Sequence, residues 1–344
     1  MEKKIRLGHI GMSHDHSGQK LATARKYPDI FEIVGICEEK DAVYERLKNH
    51  PDYQGIPRLT TEQFFNSDLD AVLVEGFELD LVRLGQMCID NDLPIHLDKP
   101  AGDDIVAFEK LLRDAKRKHL TVQLGYMYRN NPAVEYALKA VREGKLGEIY
   151  EVDAIMNTGH WLSKRQWLKC FDAGIMFFLG CHMVDFIHMF QGTPNNIIPF
   201  NRSTHFDNTD VIDHGFAVFE YDHGVSVARA TATECNGWAR RQLVICGQKG
   251  TIEIKPLETG NNQRYGEINF TEYSPLGSST FCDRKQVVEI PPVAGRYDSQ
   301  LMEFAKCVRG EMENPFTYEY ELQTQRMVLA ACGQDIDYKA KIEL

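Results

Sequence analysis

The sequence lacks the features that would indicate a disulfide-bonded secreted protein or a nucleic-acid-binding protein. Its nine cysteines are odd in number and never spaced as Cys-x-x-Cys, so we expect reduced thiols rather than disulfides or a four-cysteine zinc site. Basic residues are fewer than acidic ones: the chain has 39 lysines and arginines against 50 aspartates and glutamates, and its net charge is −11. This acidity argues against nucleic acid or anionic membrane as a partner, since both bind positive surfaces.

Long hydrophobic runs are also missing. No apolar signal core follows Met1, and the longest apolar stretch, residues 174–190, contains His182, Asp185 and His188. It is therefore too short and too polar to predict a membrane span. Internal repeats and low-complexity segments are absent from the sequence. A length of 344 residues with 43 % hydrophobic residues is typical of a folded cytoplasmic protein of two or three domains.

Strand and helix patterns alternate through the first third of the chain. Short apolar runs predict strands at residues 5–10, 31–37, 71–74, 94–97 and 121–124. Helices are predicted between them, most clearly at residues 104–118, where Asp103 or Asp104 can cap the first turn. Strand, helix and strand repeated in this order predict a doubly wound parallel sheet.

The pattern changes after about residue 126. A helix is predicted at residues 131–144, and helices are predicted again at residues 299–310 and 319–333. The segments between them predict strands at residues 148–157, 215–221, 225–233, 241–246, 251–255, 267–273 and 286–290. Glycine and asparagine turns separate these strands, so we expect an antiparallel or mixed sheet in this part.

The first predicted strand ends in a degraded phosphate-binding loop, Gly-His-Ile-Gly-Met-Ser-His-Asp-His at residues 8–16. A dinucleotide fold has Gly-x-Gly-x-x-Gly here, and only Gly11 fits well, since Ser13 and His16 stand at the later small-residue positions. The following helix N-terminus still offers amide donors to a phosphate. The alternative is a strand–turn–helix corner without a ligand.

Two charged residues follow later strands at the edge where parallel sheets bind ligands. Glu38 ends the second strand, where a carboxylate binds ribose hydroxyls and favours NAD over NADP; the alternative is a solvated acidic turn. Lys99 follows the fourth strand and can donate a hydrogen bond to a substrate hydroxyl. The alternative is a surface lysine before a proline turn.

Histidines supply the remaining candidates. On a helix, His182 and Asp185 share one face, so His182 can exchange a proton with a substrate oxygen while Asp185 orients it; the alternative is a core histidine. His14 and His16 flank Asp15 and are ligand types for a divalent metal. Their spacing does not identify a metal site, and they can instead contact phosphate or pack at the helix start. We therefore predict no bound metal. His14 and His16 are the candidate ligands if a metal does bind.

Taken in order, these segments resemble the Gfo/Idh/MocA family of sugar and polyol oxidoreductases. The resemblance rests on the turn at residues 8–11, on Glu38, and on residues 97–101, which are similar to the family's Glu-Lys-Pro signature. It continues through residues 125–132, 144–149 and 179–185. It implies a Rossmann domain over residues 1–125 and an α/β domain over residues 126–344 with a large, open, mostly antiparallel sheet. The last helix is expected to pack back on the first domain.

The resemblance also implies an activity, which is NAD-dependent hydride transfer between nicotinamide and a hydroxyl-bearing carbon of a sugar, polyol or derivative. Lys99 and His182 are the implied catalytic residues. The implied cofactor-binding residues are Gly11, Met12, Ser13, His14, Glu38, Glu75 and Lys99, and the implied substrate-binding residues are Tyr126, Arg129, His160, Trp161 and Asp185. A homodimer or homotetramer formed through the C-terminal sheet is expected.

The chain departs from the family pattern at three places. These are the glycine loop, the segment from Glu75 to Glu78 after the third strand, and Phe178, where the family often has aspartate. The departures keep two alternatives open. One is a regulator that binds nucleotide and ligand without catalysis, and the other is a metal-assisted, non-redox enzyme that uses the histidine-rich loop, Glu75 and His96.

Overall fold

The computed structural model describes residues 3–258, 267–272, 284–290 and 293–344. The chain forms two compact units. The first contains Met1–Met127, Gly295–Gln325 and Ile342–Leu344, and the second contains Tyr128–Ala294 and Arg326–Lys341. The domain limits expected from the sequence stay a prediction. Among the described helices, none is both long and apolar enough to cross a membrane.

The elements follow the predicted order closely. The strands are β1 Ile5–Ile10, β2 Phe31–Cys37, β3 Ala71–Val74, β4 Ile95–Leu97, β5 Val122–Leu124, β6 Ile149–Asn157, β7 Asn196–Pro199, β8 His214–Tyr221, β9 Gly224–Thr231, β10 Gln242–Gly247, β11 Gly250–Lys255, β12 Glu267–Glu272 and β13 Arg284–Val288. The helices are α1 Ser17–Arg25, α2 Asp41–Leu47, α3 Thr61–Phe65, α4 Leu81–Asp90, α5 Ile105–Arg117, α6 Pro132–Arg142, α7 Leu162–Trp167, α8 Cys181–Gln191, α9 Asp298–Val308 and α10 Tyr318–Ala331.

The first unit contains the predicted doubly wound parallel sheet. Its strands lie in the order β2-β1-β3-β4-β5, and every neighbouring pair is parallel. The chain winds to one side from β1 to β2 and then crosses to β3 on the other side of β1. This reversal makes the carboxyl ends of β1 and β3 the edge at which ligands bind in such sheets.

Glycines allow the turn after β1 to approach β3. Gly11 has a φ of +82°, a left-handed conformation that strains other residues, and a Cβ at this position would lie 2.5 Å from Gly76. The turn is therefore pressed against the segment that follows β3. Gly11, the residue of the loop that fits the glycine motif, is thus the one that lies against the Gly76 backbone.

The core of the first unit is completed by a helix from the far end of the sequence. Leu301, Phe304 and Ala305 of α9 are buried against the amino-terminal strands, in a cluster that includes Ile5 and Leu7. Tyr27 fixes the same helix, because its hydroxyl donates a 2.7 Å hydrogen bond to the carboxylate of Asp298. Residues near 300 are therefore part of the first unit's sheet packing.

The second unit is built on an eight-stranded sheet in the order β13-β12-β11-β10-β6-β9-β8-β7. Its neighbours are antiparallel except for the parallel pair β6 and β9. Alternate residues such as Val152, Ala154 and Ala228 are fully buried, and α8 packs against β6 and β9. The predicted large, mostly antiparallel sheet is confirmed, while its use as an oligomer interface stays a prediction.

We predict that Phe304→Ala destabilises the protein strongly. Its side chain is fully buried against β1, and truncating a buried phenylalanine costs about 3–5 kcal/mol. Met302 of the same helix is only partly buried, so Met302→Ala is the matched control with a smaller loss. Urea denaturation followed by circular dichroism measures both. Equal losses in the two variants would contradict the packing described for α9.

Candidate functional site

Glu38 anchors the turn that follows β1. One carboxylate oxygen accepts a 2.8 Å hydrogen bond from the backbone N–H of Met12, and the other accepts one of 2.9 Å from the N–H of Lys40. Glu38 is only 6 % exposed. The predicted acidic residue therefore lies at the strand end, and its carboxylate is directed at the loop rather than into bulk solvent.

A cleft opens beside this carboxylate within the first unit. Gly11, Ser13, Glu38 and Gly76 line it, together with Phe77. It lies at the carboxyl ends of β1, β2 and β3, where a doubly wound sheet binds a dinucleotide. Met12, another predicted cofactor residue, is 1 % exposed. Its side chain packs in the core under α1 rather than lining the cleft.

Buried polar side chains fill the space beneath the loop. We call this group the buried polar cluster, and each member is at most 9 % exposed. It comprises His14, His16, Lys20, Glu75, Glu78, His96 and Asp98. The loop after β1, helix α1 and the ends of β3 and β4 all contribute to it. The sequence departures in the loop and after β3 therefore come together in one place.

The Lys20 ammonium is at the centre of this cluster. It donates to Asp98 Oδ2 at 2.6 Å and to His96 Nε2 at 2.7 Å, and it lies 3.1 Å from Glu75 Oε1. His96 accepts through Nε2, so its Nδ1 carries the proton and donates to Gln123 Oε1 at 2.8 Å. Three acceptors thus face the three protons of a fully buried ammonium group.

Asp98 receives contacts from the loop histidines as well. Its Oδ2 lies 3.0 Å from His14 Nδ1 and 3.2 Å from His16 Nδ1. Although burial opposes ionisation, electrostatic interactions with His14, Lys20 and His16 hold the pKa of Asp98 well below its ordinary value. Asp98 is therefore the ionised carboxylate of the cluster.

Glu75 and Glu78 behave in the opposite way. Burial, and then the negative charge of Asp98, raise the pKa of Glu75 well above its ordinary value. Burial also raises the pKa of Glu78. Neither Glu78 oxygen accepts a hydrogen bond from another residue in the described part of the chain. The cluster therefore combines one stabilised carboxylate with two that are costly to keep charged.

Lys99 is held rigidly beside the cluster. Its backbone N–H donates to Asp98 Oδ1 at 2.7 Å, and its carbonyl accepts from His14 Nε2 at 3.0 Å. The residue is fully buried, as is Tyr126 at the end of the same unit. The predicted catalytic lysine and the loop histidine are thus joined through the backbone.

The second unit contains the other predicted residues. Arg129 and Asp185 bind each other in a buried ion pair, with Arg129 Nη2 2.7 Å from Asp185 Oδ1 and Nε about 3.0 Å from Oδ2. His182 is 2 % exposed, one turn earlier on α8. Its ring meets the ring of Tyr128 edge to face at 5.1 Å. The shared face predicted for His182 and Asp185 agrees with their places on α8.

A buried triad near His182 was missed by the sequence analysis. The Tyr128 hydroxyl donates a hydrogen bond to Glu258 Oε1, and Arg241 Nη1 binds the same oxygen at 2.8 Å. The Arg241 guanidinium also stacks on Trp238 at 3.4 Å. Tyr128 lies more than 100 residues before Arg241 and Glu258 in the chain, and those two are 17 residues apart. No local spacing could have revealed them.

The aromatic candidates divide into exposed and buried residues. Trp161 precedes α7 and is 84 % exposed, whereas His160 is half-buried 6.4 Å from the ring of Phe178. Phe178, which replaces a family aspartate, also packs edge to face on Trp167. The position is thus apolar in this chain.

Comparison with known proteins finds a family domain in part of the chain. Residues 134–253 match the sequence model of the GFO/IDH/MocA C-terminal domain. Over these residues the chain is similar to that domain. The resemblance predicted from the ordered motifs is confirmed. Among curated protein sequences, none matches this chain.

Solved structures share the fold of this protein over nearly its whole length. A protein described as a candidate NADPH-dependent oxidoreductase from Desulfitobacterium hafniense has a TM-score of 0.78 and 14 % identity, over 97 % of this chain and 96 % of that chain. An NAD-binding oxidoreductase from Klebsiella pneumoniae has a TM-score of 0.76 and 16 % identity, over 95 % of each chain. UDP-N-acetylglucosamine 3-dehydrogenase from Acidithiobacillus ferrooxidans has a TM-score of 0.73 and 17 % identity, over 97 % of each chain. At these identities the likeness establishes the fold.

We predict that stability falls in acid because of His9. Burial, and then the charge of Lys20, lower the pKa of His9 from 6.5 to about 3. Between these values the unfolded chain binds a proton that the native protein does not. Stability therefore decreases as the pH falls from 6.5 towards 3, by about 1.4 kcal/mol per pH unit for this residue. Urea titrations across this range measure the slope.

The variant His9→Gln isolates this contribution. The Tyr53 hydroxyl donates to Ser17 Oγ at 2.8 Å, so the Ser17 proton is directed at His9 Nε2, 2.9 Å away. Glutamine keeps an acceptor there but cannot titrate. The dependence of the unfolding free energy on pH therefore loses the contribution of one proton. Tyr53→Phe disturbs the same contacts and retains the imidazole, so it keeps the slope. A slope unchanged in His9→Gln would contradict the assignment.

Proposed function

We infer that the protein is an NAD-dependent oxidoreductase that transfers hydride between nicotinamide and a hydroxyl-bearing carbon of a carbohydrate-like substrate. The observation that carries this proposal is the Glu38 carboxylate at the end of β2, beside the cleft and bound to the Met12 N–H. A carboxylate in this position accepts hydrogen bonds from ribose hydroxyls and repels a 2′-phosphate. The match to the family domain supports the same reaction class.

The first unit's residues fit a dinucleotide at this edge. Gly11 and Gly76 leave the cleft without side chains where the backbone must approach a ligand closely. Ser13 offers a hydroxyl on the same lining. Glu38 keeps acceptor capacity, because each carboxylate oxygen has two lone pairs and accepts one backbone N–H, from Met12 or from Lys40. We assign cofactor binding to Gly11, Ser13 and Glu38.

The chemistry of hydride transfer comes from the nicotinamide when it is bound. Lys99 donates a hydrogen bond to the substrate hydroxyl through its ammonium group, and His182 exchanges the hydroxyl proton. Both roles follow from the family resemblance. The contacts of the Lys99 backbone with Asp98 and His14 support the first role, since they fix the residue that carries the ammonium group.

For the substrate we propose a sugar, a polyol or a derivative. Exposed tryptophans stack on sugar rings, and Trp161 is 84 % exposed at the start of α7. The likeness to a UDP-N-acetylglucosamine 3-dehydrogenase is consistent with this class. Arg129 and Asp185 bind each other, so we assign to them the support of α8 and the residues near His182.

We predict that the protein binds NADH more tightly than NADPH and that Glu38→Gln reduces this preference. The variant removes the negative charge but keeps an acceptor for the Met12 N–H. Glu45→Gln is the matched control, because it makes the same change on a side chain that is 60 % exposed. Isothermal titration calorimetry with both nucleotides measures the ratio. A preference for NADPH in the unchanged protein would overturn the NAD assignment.

We predict that Lys99→Met and His182→Gln each reduce turnover by about 10²–10⁴-fold, the usual contribution of a positioned proton-transfer group. His188→Gln is the control, since it makes the same change on the same buried helix. A panel of sugars and polyols with NAD⁺, followed by NADH absorbance, supplies the assay. Wild-type turnover in both variants would exclude the proposed roles. Nucleotide binding with no turnover on any substrate would instead indicate a non-catalytic regulator.

A further inference from the structure

Three metal-ligating side chains converge in the buried polar cluster. His14, His16 and Asp98 present ligand atoms that all lie within 4.8 Å of one another, and all three residues are buried. Asp98 Oδ2 lies 3.0 Å from His14 Nδ1 and 3.2 Å from His16 Nδ1. Ligands about 2.1 Å from a tetrahedral ion are about 3.4 Å apart. The two distances to Asp98 Oδ2 are therefore within a few tenths of an ångström of the spacing that an ion requires.

Two further carboxylates lie beside His14, and Glu75 is on the side of the ring that faces Asp98. Glu75 Oε2 lies 3.8 Å from His14 Nδ1, and Glu78 Oε1 lies 3.7 Å from His14 Nε2. Both glutamates are fully buried, and the described residues provide no hydrogen bond to either oxygen of Glu78. A buried carboxylate without a hydrogen bond is costly, and a cation is one of the few groups that can offset that cost.

We propose that His14, His16, Asp98 and Glu75 hold one divalent transition-metal ion of the zinc class. Two imidazole nitrogens and two carboxylate oxygens form a four-coordinate set of the kind that zinc prefers. Imidazole ligands also favour zinc, cobalt or nickel over magnesium and calcium, which select oxygen. Outside the ligand set, His14 Nε2 donates to the Lys99 carbonyl at 3.0 Å, a contact of the kind that orients ligating histidines.

The charges of the cluster are compatible with this ion. The carboxylates of Glu75, Glu78 and Asp98 outnumber the ammonium groups of Lys20 and Lys99, all of which are fully buried. The ion replaces the two imidazole contacts to Asp98 Oδ2 and leaves the Lys20 contact in place. The His16 side chain is 11 % exposed, while those of His14, Glu75 and Asp98 are 0 %. Entry from solvent is therefore past His16.

The arrangement assigns the ion a structural role. Four protein ligands close the coordination sphere, and closed sites stabilise folds rather than bind substrate. The ligands come from the loop after β1 and from the ends of β3 and β4. The ion thus clamps the loop whose usual glycines are replaced by Ser13 and His16. This inference does not depend on the proposed dehydrogenase activity.

The test is metal content and metal-dependent stability in full-length protein without a histidine tag. The protein is expressed with added zinc, dialysed and measured by inductively coupled plasma mass spectrometry. We expect about one zinc ion per chain. After chelation, adding Zn²⁺ raises the melting temperature, and adding Co²⁺ gives the visible absorption bands of a tetrahedral nitrogen–oxygen site. His14→Gln and His16→Gln lose the metal, with affinity reduced more than about tenfold.

His50→Gln is the matched control, because His50 is exposed in the same unit and faces Asp52 at 3.3 Å. It keeps the metal and the thermal shift. Zinc far below one per chain in the unchanged protein would overturn the proposal, and so would equal zinc content in His14→Gln and His50→Gln, which indicates an adventitious ion only. Nucleotide titrations of the chelated and zinc-loaded protein are recorded separately. Failure to bind NAD(H) would count against the proposed function and leave the metal result unaffected.

Discussion

The fully buried ammonium of Lys20 is the constraint around which the ligand edge of the first unit is organised. Removing such a charge from water costs several kcal/mol unless strong acceptors surround it. Asp98, His96 and Glu75 are those acceptors, and they end the two strands β3 and β4. Helix α1 is thereby tied to the sheet by charge at the position where a dinucleotide fold ordinarily uses glycine and small apolar contacts.

The effects of this ammonium extend through its partners. Asp98 is kept ionised, and it then holds both loop histidines and the Lys99 N–H. His96 is fixed in one tautomer and donates a hydrogen bond to Gln123. The Gln123 amide in turn donates to the Gln300 carbonyl in α9 at 3.3 Å. A single charge therefore connects the loop, two strand ends and a helix from the other end of the sequence. The second unit uses a similar device, since Glu258 accepts from both Tyr128 and Arg241.

Local signals were sufficient to predict most of the fold. The spacing of Phe108, Leu111 and Leu112 identified α5, and Asp104 caps it through the N–H groups of Val106 and Ala107 as expected. Short elements escaped prediction, notably the seven-residue α2, which has no fully buried residue, and the four-residue edge strand β7. Periodicity needs a buried face over several turns, and these segments do not have one.

The candidate site was less predictable for a different reason. Glu38, His14, Lys99 and His182 were identified because they follow strands or match family motifs. Lys20 was not identified, because its partners lie 76 and 78 residues away and a lysine on a polar helix ordinarily faces water. Glu258 was missed because its partners Arg241 and Tyr128 lie 17 and 130 residues away, beyond the reach of a local spacing pattern. Buried ion pairs between distant segments become visible only when the packing is known.

The placement of α9 has a consequence for biosynthesis. Nascent chains generally acquire structure from the amino terminus while the ribosome is still adding residues. Here β1 leaves the ribosome first, yet the side chains that cover it, Leu301 and Phe304, are added almost 300 positions later. The apolar face of the early sheet that α9 covers therefore stays exposed while residues 128–294 of the second unit are translated.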